Sequence, residues 1–236
     1  MPHAFVETSQ GGIMYSYGLR GSATQSVYEN LHHQIINIIL EPGTKISKNE
    51  IAKQHGVSQT PVREAILRLG KEGLVNIYPQ SRTSVSLIDI QHAQEFQFLR
   101  LSVEIEVVRV LSKSINKSYI KELKIWIDRQ TKELNSGDQC AFKIADNHFH
   151  EEMLKQAGVQ GLSDLLDTFR GHYDRIRVLY LMAQARRKTV IQEHRAIITA
   201  FENSDEVAAE IAIRKHLGKT LSVVDGIKDS YPHYFL

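Results

Sequence analysis

Residues 47–74 read SKNEIAKQHGVSQTPVREAILRLGKEGL. Ser47 stands three residues before Glu50, the spacing at which a hydroxyl and a carboxylate satisfy each other's orphan backbone donors at a helix start. Gly56 closes the short helix that opens there. Ser58 can cap a second helix, Pro61 sits harmlessly in its first turn, and Val62, Ala65, Ile66 and Leu69 line one face until Gly73. Two helices joined across Gly56-Val57-Ser58 make a helix-turn-helix, in which the second helix lays its N-terminal residues in a DNA major groove.

Upstream, Val27, Leu31, Ile35 and Ile38 form one stripe of a helix that starts near Thr24 and stops at Glu41-Pro42-Gly43. Downstream the period drops to two, with Val75 and Ile77, then Thr83, Val85 and Leu87, around a Pro79-Gln80-Ser81-Arg82 loop. That is the pattern of a hairpin, here a wing. Residues 1–20 show no sustained periodicity and read as an extended N-terminal arm. Beyond Asp89 there is no strand signal and no proline until Pro232. Apolar-periodic segments run over 90–114, 118–135, 139–157, 160–184, 188–203 and 205–229, separated by polar residues or glycine. The expected fold is mainly α: an arm (1–20), a winged helix-turn-helix domain (21–88) and an all-α antiparallel helical bundle (89–230).

Composition bounds the function. The chain has 236 residues, 42% hydrophobic and 24% charged, which excludes disorder and collagen-like repeats. A net charge of +2 is too small to mark a nucleic-acid binder in bulk, so any basic surface must be local. It is local: residues 45–82 carry seven basic side chains against three acidic ones, while residues 89–236 are balanced. Cys140 is the only cysteine, which excludes an intramolecular disulfide and a cysteine-rich zinc site. With no run of 18 apolar residues and no signal-peptide pattern, neither a membrane span nor export is expected, and the expected location is cytoplasmic.

Chemistry picks out the DNA-facing residues. Arg63 can donate two bonds to guanine, Gln59 can pair with adenine, and the Ser58 and Thr60 hydroxyls can hold phosphate or a base edge. Lys48 suits a phosphate contact, and Arg82 at the wing tip suits an adjacent minor groove or phosphate. The plain alternative is a small helical subdomain with ordinary surface charge. Capping box, turn, basic face and wing together favour double-stranded DNA as the partner.

In the helical half, Asp146 and His150 are four residues apart, on one helix face and one turn apart. His194 and His216 sit among apolar neighbours on later segments. One carboxylate and three imidazoles suit a divalent metal, Zn²⁺ first, with Ni²⁺, Mn²⁺ or Fe²⁺ as alternatives. Taken singly, each piece has a plainer reading: a surface ion pair for Asp146 and His150, a core residue for each other histidine. Arg100 lies four residues before Glu104 and either clamps an effector carboxylate or forms a helix-surface salt bridge. Of Arg170, His172, Tyr173, Arg175 and Arg177, some are expected to face a pocket and some solvent. His148 falls on the side of the helix opposite Asp146 and His150, and Trp126 reads as core packing.

The run EPGTKISKNEIAKQHGVSQTPVREAILRLGKEGLVNIYPQSRTSVSLID, residues 41–89, resembles the winged helix-turn-helix of the GntR family of bacterial transcription regulators. The carrying residues are Pro42-Gly43 and the pattern GVS-x-TPVREA-x-x-x-L-x-x-x-GL from Gly56 to Leu74. The resemblance implies DNA contact by Thr60 and Arg63. Gln59 stands where the family usually has Arg or Lys, and Arg82 where the wing usually has glycine, so the resemblance implies DNA binding but does not carry over an operator sequence. The second half resembles the FCD ligand-binding domain of the FadR subfamily through Asp146 to His150, Glu193 to Ala200, and His216-Leu217. In metal-containing members, the positions of Asp146, His150, His194 and His216 bind a divalent metal. The two resemblances span Val27 to Asp225. They imply a homodimeric, non-enzymatic repressor, released from its operator by a small organic acid bound near the metal. Two rivals are a metal-free regulator of the same fold and a metal-dependent hydrolase with Glu193 as base.

Overall fold

The computed structural model of this protein describes residues 4–7, 13–16, 22–78, 82–114 and 117–236. They form two compact units, residues 1–87 and 88–236.

In the first unit, strands β1 (Ala4–Glu7) and β2 (Ile13–Ser16) pair antiparallel, so part of the expected arm is a hairpin. Helix α1 (Ala23–Ile36) is capped by Ser22, whose hydroxyl accepts from the Gln25 N–H. The helix ends earlier than its apolar stripe suggests, because Asn37 caps it and Ile38 turns left-handed at φ 58°. The amides of Ile39 and Leu40 then both donate to the Gln34 carbonyl, which satisfies the helix end. Ile38 therefore extends the stripe in sequence only.

Helix α2 (Lys48–His55) starts at Ser47, whose Oγ accepts from the Glu50 N–H at 3.3 Å. It stops at Gly56, where a φ of 63° needs the freedom of glycine. Helix α3 (Gln59–Lys71) follows at once. Ser58 occupies its cap position, but its side chain makes no capping bond. Val62, Ala65, Ile66 and Leu69 are buried at 1% exposure or less against Val27, Leu31 and Ile35 of α1. Strands β3 (Val75–Ile77) and β4 (Thr83–Val85) pair antiparallel as the wing; the loop expected at 79–82 lies outside the described residues except for Arg82. The segment after Pro42 adds an unexpected third edge. Ile46 N–H donates to the Thr83 carbonyl, and Val85 N–H donates to the Thr44 carbonyl.

The second unit is helical: α4 (Ile90–Ser114), α5 (Lys117–Ser136), α6 (Gln139–Gln156), α7 (Gly161–Phe169), α8 (Gly171–Leu181), α9 (Gln184–Glu202), α10 (Glu206–Ser222) and α11 (Val224–Ser230). Two expected segments are each split in two. The 160–184 segment breaks at Arg170-Gly171 and the 205–229 segment at Val223, because apolar spacing continues across a one-residue break. Helix α4 packs on α10, α10 on α9, α9 on α5, α5 on α6 and α6 on α4, closing a ring of five helices. Helix α8 lies against α4, α9 and α10. No helix is long and apolar enough to cross a membrane among the described residues.

The chain beyond 230 belongs to this unit and is not a tail. Ile88 N–H donates to the Tyr234 carbonyl at 2.7 Å, and Leu236 N–H donates back to the Ile88 carbonyl at 3.1 Å. Tyr234 and Phe235 are buried, and on the other side the Asp89 N–H donates to His172 Nδ1 at 2.9 Å. The C-terminus and α8 together hold the first residues of the unit. Removing residues 232–236 should cost this unit roughly 3–5 kcal/mol, the scale of losing buried aromatic side chains. It should also open the Ile88 amide to solvent; hydrogen exchange and a denaturant melt check both, and an unchanged melt with a protected Ile88 would contradict this role of the C-terminus.

Candidate functional site

The ring of helices brings Asp146 and His150 from α6, His194 from α9 and His216 from α10 to one buried point, with one ligand atom of each within 4.8 Å of the others. His216 Nε2 lies 3.1 Å from His150 Nε2 and 3.2 Å from His194 Nε2. Asp146 oxygens stand 3.9 Å from His150 Nε2 and 3.7 Å from His194 Nε2.

The far nitrogen of every ring is already committed. His150 Nδ1 meets Glu104 Oε2 at 2.6 Å, His194 Nδ1 meets Gln130 Oε1 at 2.9 Å, and His216 Nδ1 meets Glu193 Oε2 at 3.0 Å. Carboxylate and carbonyl oxygens only accept, so each Nδ1 carries the proton and each Nε2 presents a bare lone pair. Protonation does not relieve the crowding. Burial lowers the pKa of His150 and His194, the latter strongly, and pushes His216 down to about 4 against the pull of Glu193. Three lone pairs and a carboxylate turned on one dry point repel one another. A divalent cation resolves that repulsion, and carboxylate or carbonyl partners behind the histidines are the usual second layer of such a site. The donor set therefore fits a divalent metal.

The backing groups are themselves held. Burial alone would raise the Glu104 pKa, but Arg100 and His150 hold its carboxyl well below the usual carboxylate range. Glu193 is similarly lowered against its burial by hydrogen bonds to His216 and Lys219. Because the Glu193 carboxylate is spent on His216 and Lys219, it is not a base facing the cluster, as the hydrolase reading required. Asp146 also forms an ion pair with Arg177.

Beside the cluster lies a cavity of about 40 Å³, whose lining includes Phe96, Arg100, His150, Leu154, Arg170 and Arg177. A water takes roughly 10–15 Å³ by the same measure, so the space suits a ligand of few heavy atoms. Of the two readings of Arg100, the salt bridge is present in altered form. Its Nε does donate to Glu104 at 2.6 Å, yet the pair is buried, not on the surface, and Arg100 lines the cavity. Of the five residues singled out in sequence at the start of α8, His172, Tyr173, Arg175 and Arg177 are buried and only Arg170 keeps partial contact with solvent. His148 turns away from the cluster to Glu151, and its ring stacks on a half-buried Trp126, which is not a core residue.

In the first unit, Ser58, Gln59, Thr60 and Arg63 are exposed at the start of α3, as is Arg82 on the wing. Lys48, Gln59 and Arg82 share a surface groove of about 470 Å³ with Lys45, Asn49 and Tyr78. Ser58, Thr60 and Arg63 do not line that groove. Gln59 Nε2 donates to Asn49 Oδ1 at 2.6 Å, which holds its amide toward α2.

The family model described as bacterial regulatory proteins, gntR family, matches residues 23–85, and the one described as FCD domain matches residues 95–219. The chain belongs to the GntR family. This GntR protein is a DNA-binding transcriptional regulator with an FCD domain. It is 30% identical over 211 residues, 89% of both chains, to an HTH-type transcriptional regulator in an unstable DNA locus of Streptomyces ambofaciens. It is 26% identical over 89% of its length to the HTH-type transcriptional repressor RspR of Escherichia coli, 92% of which is covered. Its fold matches that of Escherichia coli McbR/YncC at a TM-score of 0.71 and 19% identity, over 88% of this chain and 99% of that one.

Sequence reasoning missed Gln130, which is buried at 0% exposure and supports the cluster from a helix without a ligand. Only its position on the inner face of a long helix could have drawn attention to it.

The lowered histidines set a pH dependence for the metal-free protein. An unfolded histidine takes up a proton below about pH 6.5, whereas folded His216 refuses it until about pH 4. Stability is thus intact above pH 6.5 and lost as pH falls toward 4, by about 3 kcal/mol for His216 alone. Denaturant unfolding of the chelated protein at a series of pH values checks this; a flat profile over that window would contradict it.

Proposed function

We propose that this regulator is a repressor that leaves its operator when a small organic acid binds in the FCD cavity beside a divalent metal, Zn²⁺ in the first instance. The carrying observation is the convergence of three Nε2 lone pairs and one carboxylate, each ring fixed from behind by an acceptor. A metal held by Asp146, His150, His194 and His216 would supply positive charge that attracts a carboxylate in the neighbouring cavity. The chain's own residues do the rest. Arg100, Arg170 and Arg177 line the cavity together with Glu104, Glu151, Asp167 and Asp174, with Phe96 and Leu154 as the apolar part of the wall. An anion would therefore be oriented by exchanging with these carboxylates for the arginines.

In the DNA-reading unit, Thr60 and Arg63 read bases from the start of α3, with Ser58 and Gln59 beside them. Lys48 and Arg82 hold phosphate or the neighbouring groove. A homodimer on a roughly palindromic operator suits this motif, since two-fold symmetry in the protein is mirrored in the site. An effector that prefers an arrangement with the wrong spacing of recognition helices weakens operator binding by the same free energy by which DNA weakens effector binding. The repressor sign follows the name of the Escherichia coli relative.

Two substitutions separate the roles, using a duplex that the wild-type chain selects from a random library. Arg63→Ala should weaken binding to that duplex by roughly 1–3 kcal/mol while keeping the metal content of the wild type. His150→Ala should lose the metal while still binding the duplex. Anisotropy titration and elemental analysis read the two outcomes, and loss of both properties in both variants would overturn the division of labour.

A further inference from the structure

Gln130 lies on α5, which supplies none of the four ligand candidates, yet its amide touches two of them from two other helices. Its Oε1 accepts from His194 Nδ1 of α9 at 2.9 Å, and its Nε2 donates to Asp146 Oδ1 of α6 at 3.2 Å. The residue is wholly buried, so water cannot replace either bond.

The two contacts fix which end of the amide points where. Reversed, the carboxamide would set its oxygen against the Asp146 carboxylate and its donor hydrogens against His194 Nδ1. His194 would then have to accept at Nδ1 and carry its proton on Nε2, aimed at His216 Nε2. In the observed orientation the same amide keeps the Nε2 lone pair of His194 bare and turns Asp146 toward the cluster. We infer that Gln130 is the positioning residue of the metal site, setting at once the tautomer of His194 and the aim of Asp146. The inference rests on the metal reading for its consequence, but not for its geometry.

The chemistry also explains why a neutral amide stands here. The other two histidines are backed by carboxylates, and each carboxylate has its own cation: Arg100 lies 2.6 Å from Glu104, and Lys219 lies 2.6 Å from Glu193. A third backing carboxylate at position 130 would stand beside the Asp146 carboxylate, where like charges oppose each other. Hydrophobic replacements fill the space but hold neither ligand. Glutamine accepts at one terminal atom and donates at the other without taking up a proton, which a glutamate would have to do.

The test uses the full chain with Gln130→Leu and Gln130→Glu. Zn²⁺ affinity is read by competition with a chromophoric chelator, and the ring-nitrogen spectrum of ¹⁵N-labelled histidine is read on metal-free protein at pH 8. Gln130→Leu should lower Zn²⁺ affinity by roughly 10–100-fold, the usual effect of removing a second-layer partner. It should also convert His194 from a single Nδ1–H form to a mixture of tautomers. Gln130→Glu still accepts from His194 and should restore the Nδ1–H signal, which a merely space-filling role for residue 130 does not require. Should the leucine variant fail to fold, Gln130→Met takes its place. A folded leucine or methionine variant with wild-type Zn²⁺ affinity and an unchanged His194 signal overturns the inference. Wild-type protein that takes up no Zn²⁺ overturns the metal reading instead, and the nitrogen spectra still decide whether Gln130 sets the tautomer.

Discussion

Three imidazole nitrogens without protons and one carboxylate oxygen share a buried point in the second unit, held there by the five helices around them. Left in water, these groups would separate. Here each helix of the five-membered ring contributes something to the centre: Glu104 from α4, Gln130 from α5, Asp146 and His150 from α6, His194 with Glu193 from α9, and His216 from α10. The apolar residues between them, such as Phe142, Phe149, Ile197, Phe201 and Ile213, are buried at 0% exposure and supply the cohesion that turns the polar groups inward. The Phe149 ring stacks on His194 at 4.0 Å, which fixes the ring plane as Gln130 fixes its protonation.

Burying so many charged groups is costly unless each is paired, and removing one partner strands the other. Pairing is carried out in chains. Arg100 serves Glu104, which serves His150; Lys219 serves Glu193, which serves His216; Arg177 serves Asp146 and donates to Asn147 Oδ1 at 2.7 Å. The first and third chains also border the cavity, so a ligand there meets groups one or two bonds from the metal candidates. An anion that draws Arg100 away from Glu104 changes what holds His150. Under the proposed function, sensing an effector and holding a metal would therefore draw on the same side chains.

Much of this was legible in the sequence because much of it is local. The helix-turn-helix depends on Ser47, on the left-handed turn at Gly56 and on the Val62 to Leu69 face, all within 25 residues of one another. The Asp146 and His150 pair is legible for the same reason, since four residues make one helical turn. What escaped depends on distant chain segments. Gln130 and the ring of helices that gives it meaning have no local pattern. Nor does the third edge of the wing near Lys45, which pairs with a strand some forty residues later. Short breaks escaped as well: apolar spacing runs on past Asn37, Arg170 and Val223, while the backbone stops at each. Arg100 and Glu104 were visible as a pair, but sequence could not tell a buried pair in a cavity wall from a solvated one.

The central claim is that the buried cluster is a metal site with room for an acid beside it. The most direct measurement is elemental analysis combined with small-molecule mass spectrometry on one untagged preparation, before and after mild chelation. The account predicts about one divalent metal per chain, with a small carboxylic acid released together with it. Folded protein that carries neither, even after Zn²⁺ is supplied, would contradict it.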